Sequence, residues 1–448
     1  MDAASLALAE RSAPRYTSYP TAPHFSKSIG DAEMRTWLAS LDPSASLSLY
    51  LHVPFCASIC AYCGCHTKAV RQEAPLDLYA QTLKSEIALT AQATRARRVT
   101  SIHWGGGTPG ILGPSRFAAI VSVLREFFEL AAAAEHAIEF DPRLVDAGLV
   151  EALAEAGITR ASLGVQDFNA HVQAASGRIQ PFETVARVVK LLRGAGIAAI
   201  NLDLMYGLPK QSVDDAARTA SLAASLAPQR LAVFGYAHVP WFKSNQKLID
   251  AAALPGVGER LAQAAAMRAI LEEHGYEAIG LDHFARPEDP LAIAAREKRM
   301  RRNFQGYTID AADALLPFGV SSIGRLPQGY VGNAVDLAGW RRAIEAGGFA
   351  TDRGVGFTRE DIARADLIER LMCDFEVDYG AAAMRHGYAS DAFDEAQASL
   401  EALAKDGVVD MQGRRVIVTQ RGRPFVRLVA AAFDAYLQSS AARHSSAV

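Results

Sequence analysis

The chain is expected to adopt an α/β fold built on a mostly parallel sheet covered by helices, and three observations carry that expectation. Between residues 46 and 285, short β-branched or apolar runs alternate with helix-length segments. Polar residues able to do chemistry fall at the carboxyl ends of those runs, the edge on which parallel α/β folds gather their sites. The first run is followed by cysteines rather than by a Gly-rich phosphate loop. From these alone the sheet is open or closed into a barrel.

The strands follow in order. They are predicted at 47–54 (LSLYLHVP), 99–104 (VTSIHW), 136–140 (HAIEF), 159–166 (TRASLGVQ), 197–206 (IAAINLDLMY) and 230–237 (RLAVFGYA), with a weaker run at 276–281. Between them apolar residues recur at helical spacing: Leu76, Tyr79, Leu83 and Ile87 in one segment, Phe117, Ile120, Leu124 and Phe127 in another. Pro75 and Pro114 stand at helix starts, where a missing N–H costs nothing. In the tail, helices are predicted over 361–375 and 391–406, then a hairpin over 408–419 turning at Gln412-Gly413, then a helix along RPFVRLVAAAFDAYL. Helices followed by a hairpin make this part winged-helix-like. Residues 401–448 hold seven Lys or Arg against four Asp or Glu without a clustered basic helix, so a packing or lid role is expected rather than nucleic-acid binding. The first 40 residues are rich in Pro, Ser and Ala and are expected to be loosely ordered. Their block RYTSYPTA at 15–22 is aromatic enough to fold over a cavity.

Composition narrows the function classes. At 448 residues the chain can bury a large core and divide into two or more domains. Hydrophobic residues are 50%, charged residues 21% and the net charge is -3, so nothing draws the whole molecule to nucleic acid. Apolar stretches are broken by charge well short of the ~20 residues of a membrane span. The start has acidic residues and no basic-then-apolar pattern, so it does not read as a secretion signal. A reducing cytoplasmic setting is expected, and nothing demands a partner chain, which makes a monomer the expectation.

The chain has five cysteines, and four of them, Cys56, Cys60, Cys63 and Cys65, fall within positions 56–65 as C-x3-C-x2-C-x-C. The run is too tight for a disulfide framework and suits thiolates around one soft metal centre. Zinc is the rival, with His52 or His66 completing the set, but structural zinc sites of four cysteines usually take two pairs from separated hairpins, and no second pair exists here. A [4Fe-4S] cluster on three cysteines leaves one iron open for a substrate.

C-x3-C-x2-C after the first strand resembles the radical S-adenosylmethionine (SAM) superfamily. The wider pattern resembles one family within it, the oxygen-independent coproporphyrinogen III oxidases. The resemblance is carried by RYTSYPTA (15–22), LYLHVPFC (49–56), CGC (63–65), HWGGGTP (103–109), EFDP (139–142), GVQDFN (164–169), NLDLMYGLPKQ (201–211), FGYAHVP (234–240), GLDHFARPEDPLA (280–292), RNFQGYT (302–308) and TQRGR (419–423). It implies a partial (β/α)6 TIM-like barrel. The chain then divides into a covering segment over 1–45, the barrel with its cluster over 46–290, a linking and covering region that contributes to the SAM site over 291–350, and a helical winged-helix-like domain over 351–448.

Carried onto these positions, the resemblance implies cluster ligation by Cys56, Cys60 and Cys63. It implies catalytic roles for Cys65, which is not a ligand, and for Tyr50. Two bound SAM molecules would be contacted by Tyr50, Tyr62, Gly106, Gly107, Thr108, Glu139, Gln166, Arg178, Asp203, Ala237 and Ile323. Gly106 and Gly107 are expected to let backbone approach the methionine moiety. Asp203 is expected to take a ribose diol and Arg178 a SAM carboxylate. Plainer readings stand beside these: Glu139 and Asp203 as helix caps, Gly105 to Gly107 as a turn, His103 as a packed strand residue, His238 and His283 as ordinary hydrogen-bonded histidines, Cys373 as core. Arg15, Arg286 and Arg302 are candidates for substrate carboxylates. Ala61 departs from the aromatic or histidine usual in the family and is expected to tune the cluster through exposure.

The implied activity is that of an oxidoreductase acting on CH–CH bonds. It would convert coproporphyrinogen III to protoporphyrinogen IX in haem biosynthesis, with electrons from a donor such as a flavodoxin or ferredoxin system. The alternative is a haem-binding, chaperone-like paralogue, in which the third cluster cysteine is followed by Asp-Phe. Here Gly64-Cys65 follows, and RYTSYPTA is retained, both on the side of the oxidase.

Overall fold

The computed structural model describes residues 3–437; the last eleven positions of the tail domain, 438–448, and the first two of the N-terminal segment lie outside the described residues. Six parallel strands form the frame: β1 (Leu47–Val53), β2 (Arg98–Gly106), β3 (Glu129–Phe140), β4 (Arg160–Gln166), β5 (Ala199–Tyr206) and β6 (Arg230–Gly235). Each pairs with the next in sequence. Helices Glu73–Ala93, Gly113–Phe127, Ala147–Glu155, Phe182–Gly194 and Val213–Ser225 connect them. Because every right-handed crossover steps to the neighbouring strand in one direction, all covering helices fall on one face of the sheet. The sheet therefore curls around its other face, which becomes the lining of a partial barrel.

Side-chain alternation decides what that lining contains. Leu47, Leu49, Leu51 and Val53 of β1 point outward and are at most 1% exposed, which leaves Ser48, Tyr50 and His52 inward. Ile102 and Trp104, Ile138 and Phe140, Leu163 and Val165, Leu202 and Leu204 fill the outer layer in the same way, packed against Leu83, Ile87, Phe117, Ile120 and Leu124 of the helices. The apolar half of every strand thus holds the helices, and the polar half is delivered to the interior. Strand β3 begins seven residues before the predicted run, because ELAAAAE lacks the β-branched residues that mark strands.

The sheet continues past the frame to twelve strands. On the far side of β6 lie antiparallel β7 (Glu277–Ile279) and β8 (His283–Ala285), and a separate hairpin joins β9 (Arg301–Asn303) to β10 (Gly306–Thr308). On the near side, β11 (Ala314–Phe318) runs parallel to β1 and leads into antiparallel β12 (Ile323–Leu326), β13 (Gly329–Asn333) and β14 (Thr351–Gly356). Residues 291–350, read from sequence as linking and covering, therefore supply three of the twelve strands. Pro317 inside β11 and the glycines of GYVGN hide these strands from a pattern reading.

Residues 3–40 are ordered, against expectation. Helices occupy Ala3–Glu10 and Asp31–Ala39. Leu8, Ala9, Ala13, Tyr16 and Tyr19 are buried in the core of the tail domain among Leu371, Val416 and Phe433. The Tyr16 hydroxyl donates to Asp434 at 3.0 Å, the Tyr19 hydroxyl accepts from Ala435 N at 3.0 Å, and Arg427 donates to the carbonyls of Ala13 and Pro14. Burying two tyrosines supplies what the polar composition lacks. The tail has the expected helices and hairpin, with β15 (Glu376–Asp378) pairing beside β16 (Val409–Gln412) and β17 (Arg415–Val418). Gly413 takes the turn at φ 61°. The helix predicted over 391–406 begins at Gln397, and the one predicted from 423 ends at Ala431, where Phe433 turns into the core.

Candidate active site

The cysteine loop leaves β1 and is fastened to β2 by backbone. Gly107 N donates to Val53 O and Thr108 N to Phe55 O, both at 2.8 Å, while Lys68 N and Val70 N return to Pro54 O and Cys56 O. A Cβ on Gly107 would sit 2.4 Å from Phe55 O, and Gly106, at φ 108°, lies flat against the His52 ring. These glycines make room for the cysteine loop itself, a constraint ahead of any ligand. The Thr67 hydroxyl lies 3.3 Å and the Thr108 hydroxyl 3.7 Å from Cys56 Sγ, and Arg178 Nη1 is 3.4 Å from Cys60 Sγ.

A second clamp comes from far along the chain. Asn245 Nδ2 faces the carbonyls of Cys60, Ala61 and Cys63 at 3.0–3.1 Å, Gln246 donates to Tyr62 O at 2.9 Å, and Lys243 Nζ to Cys65 O at 3.0 Å. Sequence reading missed all three, since nothing in the run WFKSNQK marks them. Cys60 and Tyr62 are buried with Val172, Leu208 and Tyr236, while Cys65 is exposed. A hydrogen bond from Cys65 holds the Cys63 thiol down to about 6, against the opposing pull of burial.

The donor set fits the implied cluster. Three thiols stand on one loop whose carbonyls are pinned, with hydroxyl and guanidinium donors beside two of the sulfurs. Among the described residues no three Cys, His, Asp or Glu side chains converge as a single-ion site requires. His52 is also committed elsewhere. Its Nε2 lies 2.9 Å from His66 O, which only accepts, so Nε2 carries the proton and Nδ1 accepts from the Tyr50 hydroxyl at 3.0 Å. The zinc alternative loses His52.

The inner face carries the next layer. His103 Nε2 bonds Glu139 Oε1 at 3.0 Å, so His103 is paired with an acid on the inner face of the sheet rather than simply packed. Burial works to raise the Glu139 pKa, but the hydrogen bond and charge of His103 and the Gly106 N–H outweigh it and lower the carboxyl. Asp203 goes the other way. Burial and the charge of Glu139 push it up to about 6, despite donors from Ser162 Oγ at 2.9 Å and Asn201 Nδ2 at 2.8 Å. Neither acid caps a helix; Asp141 does the capping, accepting from Arg143 N. Gln166 sits at φ 69° beyond a register shift in β4, which re-aims its side chain.

Arg178 is 8% exposed. Its guanidinium, offered in the sequence reading to a SAM carboxylate, is largely engaged by Asp141 at 3.3 Å, Gly164 O at 2.7 Å and Cys60; only Nε is left buried without a partner. Asp141 and Arg143 were not singled out from sequence, although they lie within or beside EFDP. Ile323 opens β12 at the end of the sheet where β1 delivers the cysteines. Cys373 is core, with Met300 and Tyr307.

Beside this layer, beyond the carboxyl ends of β5 and β6, lies a cavity of about 670 Å³. Ala237, His238, Asp282 and His283 line it, with Arg15 and Arg302 from the sequence reading and Arg260 and Arg427, which that reading missed. His238 bonds Tyr236 and His283 bonds Asp282. Arg286 lies elsewhere, stacked on Tyr276 at 4.0 Å.

Comparison with known proteins follows the same division. A model of the radical SAM superfamily matches residues 50–223, and a model of the HemN C-terminal domain matches residues 357–425. The oxygen-independent coproporphyrinogen III oxidase of Bradyrhizobium diazoefficiens is 50% identical over 440 residues, 98% of each chain. That of Paracoccus denitrificans is 41% identical over 444 residues, 99% of this chain and 98% of its own. The solved structure of coproporphyrinogen III oxidase (HemN) from Escherichia coli, described as a radical SAM enzyme, superposes with a TM-score of 0.91 at 39% identity, covering 94% of this chain and 98% of that one.

Proposed function

The chain belongs to the oxygen-independent coproporphyrinogen III oxidases of the radical SAM superfamily, and from that premise we propose that it oxidatively decarboxylates coproporphyrinogen III to protoporphyrinogen IX in haem biosynthesis. The observation that carries the proposal is the pinned three-thiol loop facing an inner wall of opposed acids. Cys56, Cys60 and Cys63 would hold a [4Fe-4S] cluster, which with SAM would supply one-electron cleavage and hydrogen abstraction at the propionate β-carbon, with carbon dioxide released and one electron passed to an external one-electron acceptor.

The chain's own residues orient and exclude. Gly106 and Gly107 seat the loop, and Thr108 and Arg178 stand beside two of the sulfurs. Glu139, ionised beside His103, suits a cationic cofactor, and Asp203 suits a ribose diol. Tyr50, locked through His52 to the loop carbonyl at His66, Tyr62 beneath the loop, Gln166, Ala237 and Ile323 complete the proposed contacts for two SAM molecules, and the exposed Cys65 serves catalysis without ligation. The N-terminal segment and tail domain wall off the cavity, which keeps water from a reactive intermediate.

A one-electron donor of the flavodoxin or ferredoxin type, a cytoplasmic location and a monomeric state complete the proposal; among the described residues no helix is long and apolar enough to cross a membrane. Anaerobic incubation of reconstituted protein with SAM, reductant and coproporphyrinogen III is expected to yield protoporphyrinogen IX and two carbon dioxide per substrate. Unchanged coproporphyrinogen III, or stable haem binding in its place, would overturn the assignment.

A further inference from the structure

The chain's net charge is -3, yet the cavity of about 670 Å³ is cationic. Six arginines line it, Arg15, Arg260, Arg268, Arg302, Arg423 and Arg427, and Asp282 is the one acid among the lining residues. They come from four separate parts of the chain: the N-terminal segment, the helix Val257–Glu273, strand β9 and the tail domain. Arg268 is partly spent on Glu272 at 3.4 Å. Arg15, Arg260, Arg302 and Arg423 make no ion pair among the described residues, and like charge from Arg15 and Arg302 adds to burial in lowering Arg427 to about 10.

Several of these groups are held ready rather than satisfied. Arg302 lies over the Tyr307 ring at 4.4 Å and gives one N–H to Arg15 O at 3.3 Å, while its Nε and Nη1 are buried without an acceptor. Arg260 gives Nη2 to Tyr236 O at 2.8 Å and leaves Nε unpaired. Arg423 stacks on Phe375 at 4.7 Å and also leaves Nε unpaired. Guanidiniums gathered around one space without carboxylate partners repel one another, so a site that keeps several of them there is completed by a ligand rich in acceptors. Planar guanidinium forks fixed by stacking match carboxylates in particular.

We propose that this arginine cradle binds the carboxylates of the tetrapyrrole that are retained, and so sets which propionates are presented to the inner wall. The inference rests on the proposed function above and names the part of the site that reading leaves unassigned. The choice of retained rather than departing carboxylates follows from charge. Decarboxylation turns an anion into neutral carbon dioxide, and a guanidinium paired to the departing group would stabilise the ground state and oppose its loss. The cradle therefore acts on binding and ring choice, and its arginines are positioning residues.

The test uses cluster-reconstituted full-length protein and coproporphyrin III, the oxidised and fluorescent tetracarboxylate, as the binding probe, with its tetramethyl ester as the uncharged control. Arg302→Gln and Arg15→Gln are each expected to weaken coproporphyrin III binding about tenfold, with the double variant weaker still. KM for coproporphyrinogen III should rise while kcat, iron content and SAM affinity stay close to wild type. Arg286→Gln, outside the cavity, should bind as wild type, and the tetramethyl ester should bind poorly to every form. Arg15 is exposed at the cavity wall, so its variant reads binding even if Arg302→Gln folds badly. Wild-type affinity in the variants, alongside wild-type turnover, would overturn the cradle and leave the function standing, as would loss of SAM affinity with coproporphyrin III binding intact. A wild-type protein that neither binds coproporphyrin III nor turns over the reduced substrate would overturn both.

Discussion

The cysteine wall of the site and the arginine wall of the cavity beside it are built on opposite plans. The cysteine wall is one contiguous loop, fixed through its backbone by Gly107, Thr108, Asn245 and Gln246, so that the anchoring falls on carbonyls and N–H groups rather than on the sulfurs. The arginine wall is assembled from four distant parts of the chain, and there the side chains are pre-stacked and left short of acceptors. The difference teaches a division of labour. Chemistry that needs several atoms at one point is placed on one loop, where local geometry sets the spacing. Recognition of a broad polyanion is spread over separate elements that meet only when the chain is folded.

The largest break in this comparison is at the cysteines. Cys56→Ser is expected to lose bound iron and lower product formation to background, whereas Cys65→Ser keeps its iron and loses activity; iron analysis and anaerobic turnover on the same samples separate the two. If both lost iron, the exposed Cys65 would have to be a ligand.

Asn245→Ala tests whether the loop is held through its carbonyls. It removes no ligand, yet it should weaken cluster retention against a chelator by about 10–100-fold. Retention equal to wild type would show that the contacts at Gly107 and Thr108 suffice.

A smaller effect is expected between the walls, at Asp203. Its pKa is raised to about 6 by burial and by Glu139, above the 3.8 of an ordinary aspartate. The folded protein therefore holds that proton more tightly than the unfolded chain, and stability from this group is full below about pH 4 and is lost as pH rises through about 6. Asp203→Asn removes the loss. Its stability gain over wild type should be near zero at pH 4 and should grow to at most on the order of 3 kcal/mol by pH 8, read from denaturant unfolding. A gain that shrinks with rising pH would contradict the assignment.

Legibility in the sequence tracks the same divide. The six-stranded frame was readable because strands such as Leu47–Val53, Arg160–Gln166 and Ala199–Tyr206 alternate between outer apolar residues and inner polar or small ones, and the cysteine loop was readable because its donors are adjacent. His103 looked packed because strand position alone cannot tell the lined face of a curled sheet from the covered one. Asn245, Arg260 and Arg427 carry no local signal, since an amide in a loop or an arginine on a helix is ordinary until the fold aims it. The N-terminal segment misled for a related reason. Its composition is that of a loose tail, but Tyr16 and Tyr19 find their core in a domain about 400 residues away, in contact with Asp434 and Ala435.

The most direct test of the division between walls is one anaerobic time course that measures 5'-deoxyadenosine and carbon dioxide together in wild type, Cys56→Ser and the Arg15→Gln, Arg302→Gln double variant. Wild type should form both products in step, and Cys56→Ser should form neither. The arginine variant should form both at near wild-type rates once coproporphyrinogen III is raised well above its KM, and fall behind only at low substrate. Loss of 5'-deoxyadenosine formation in the arginine variant at every substrate concentration would contradict the account.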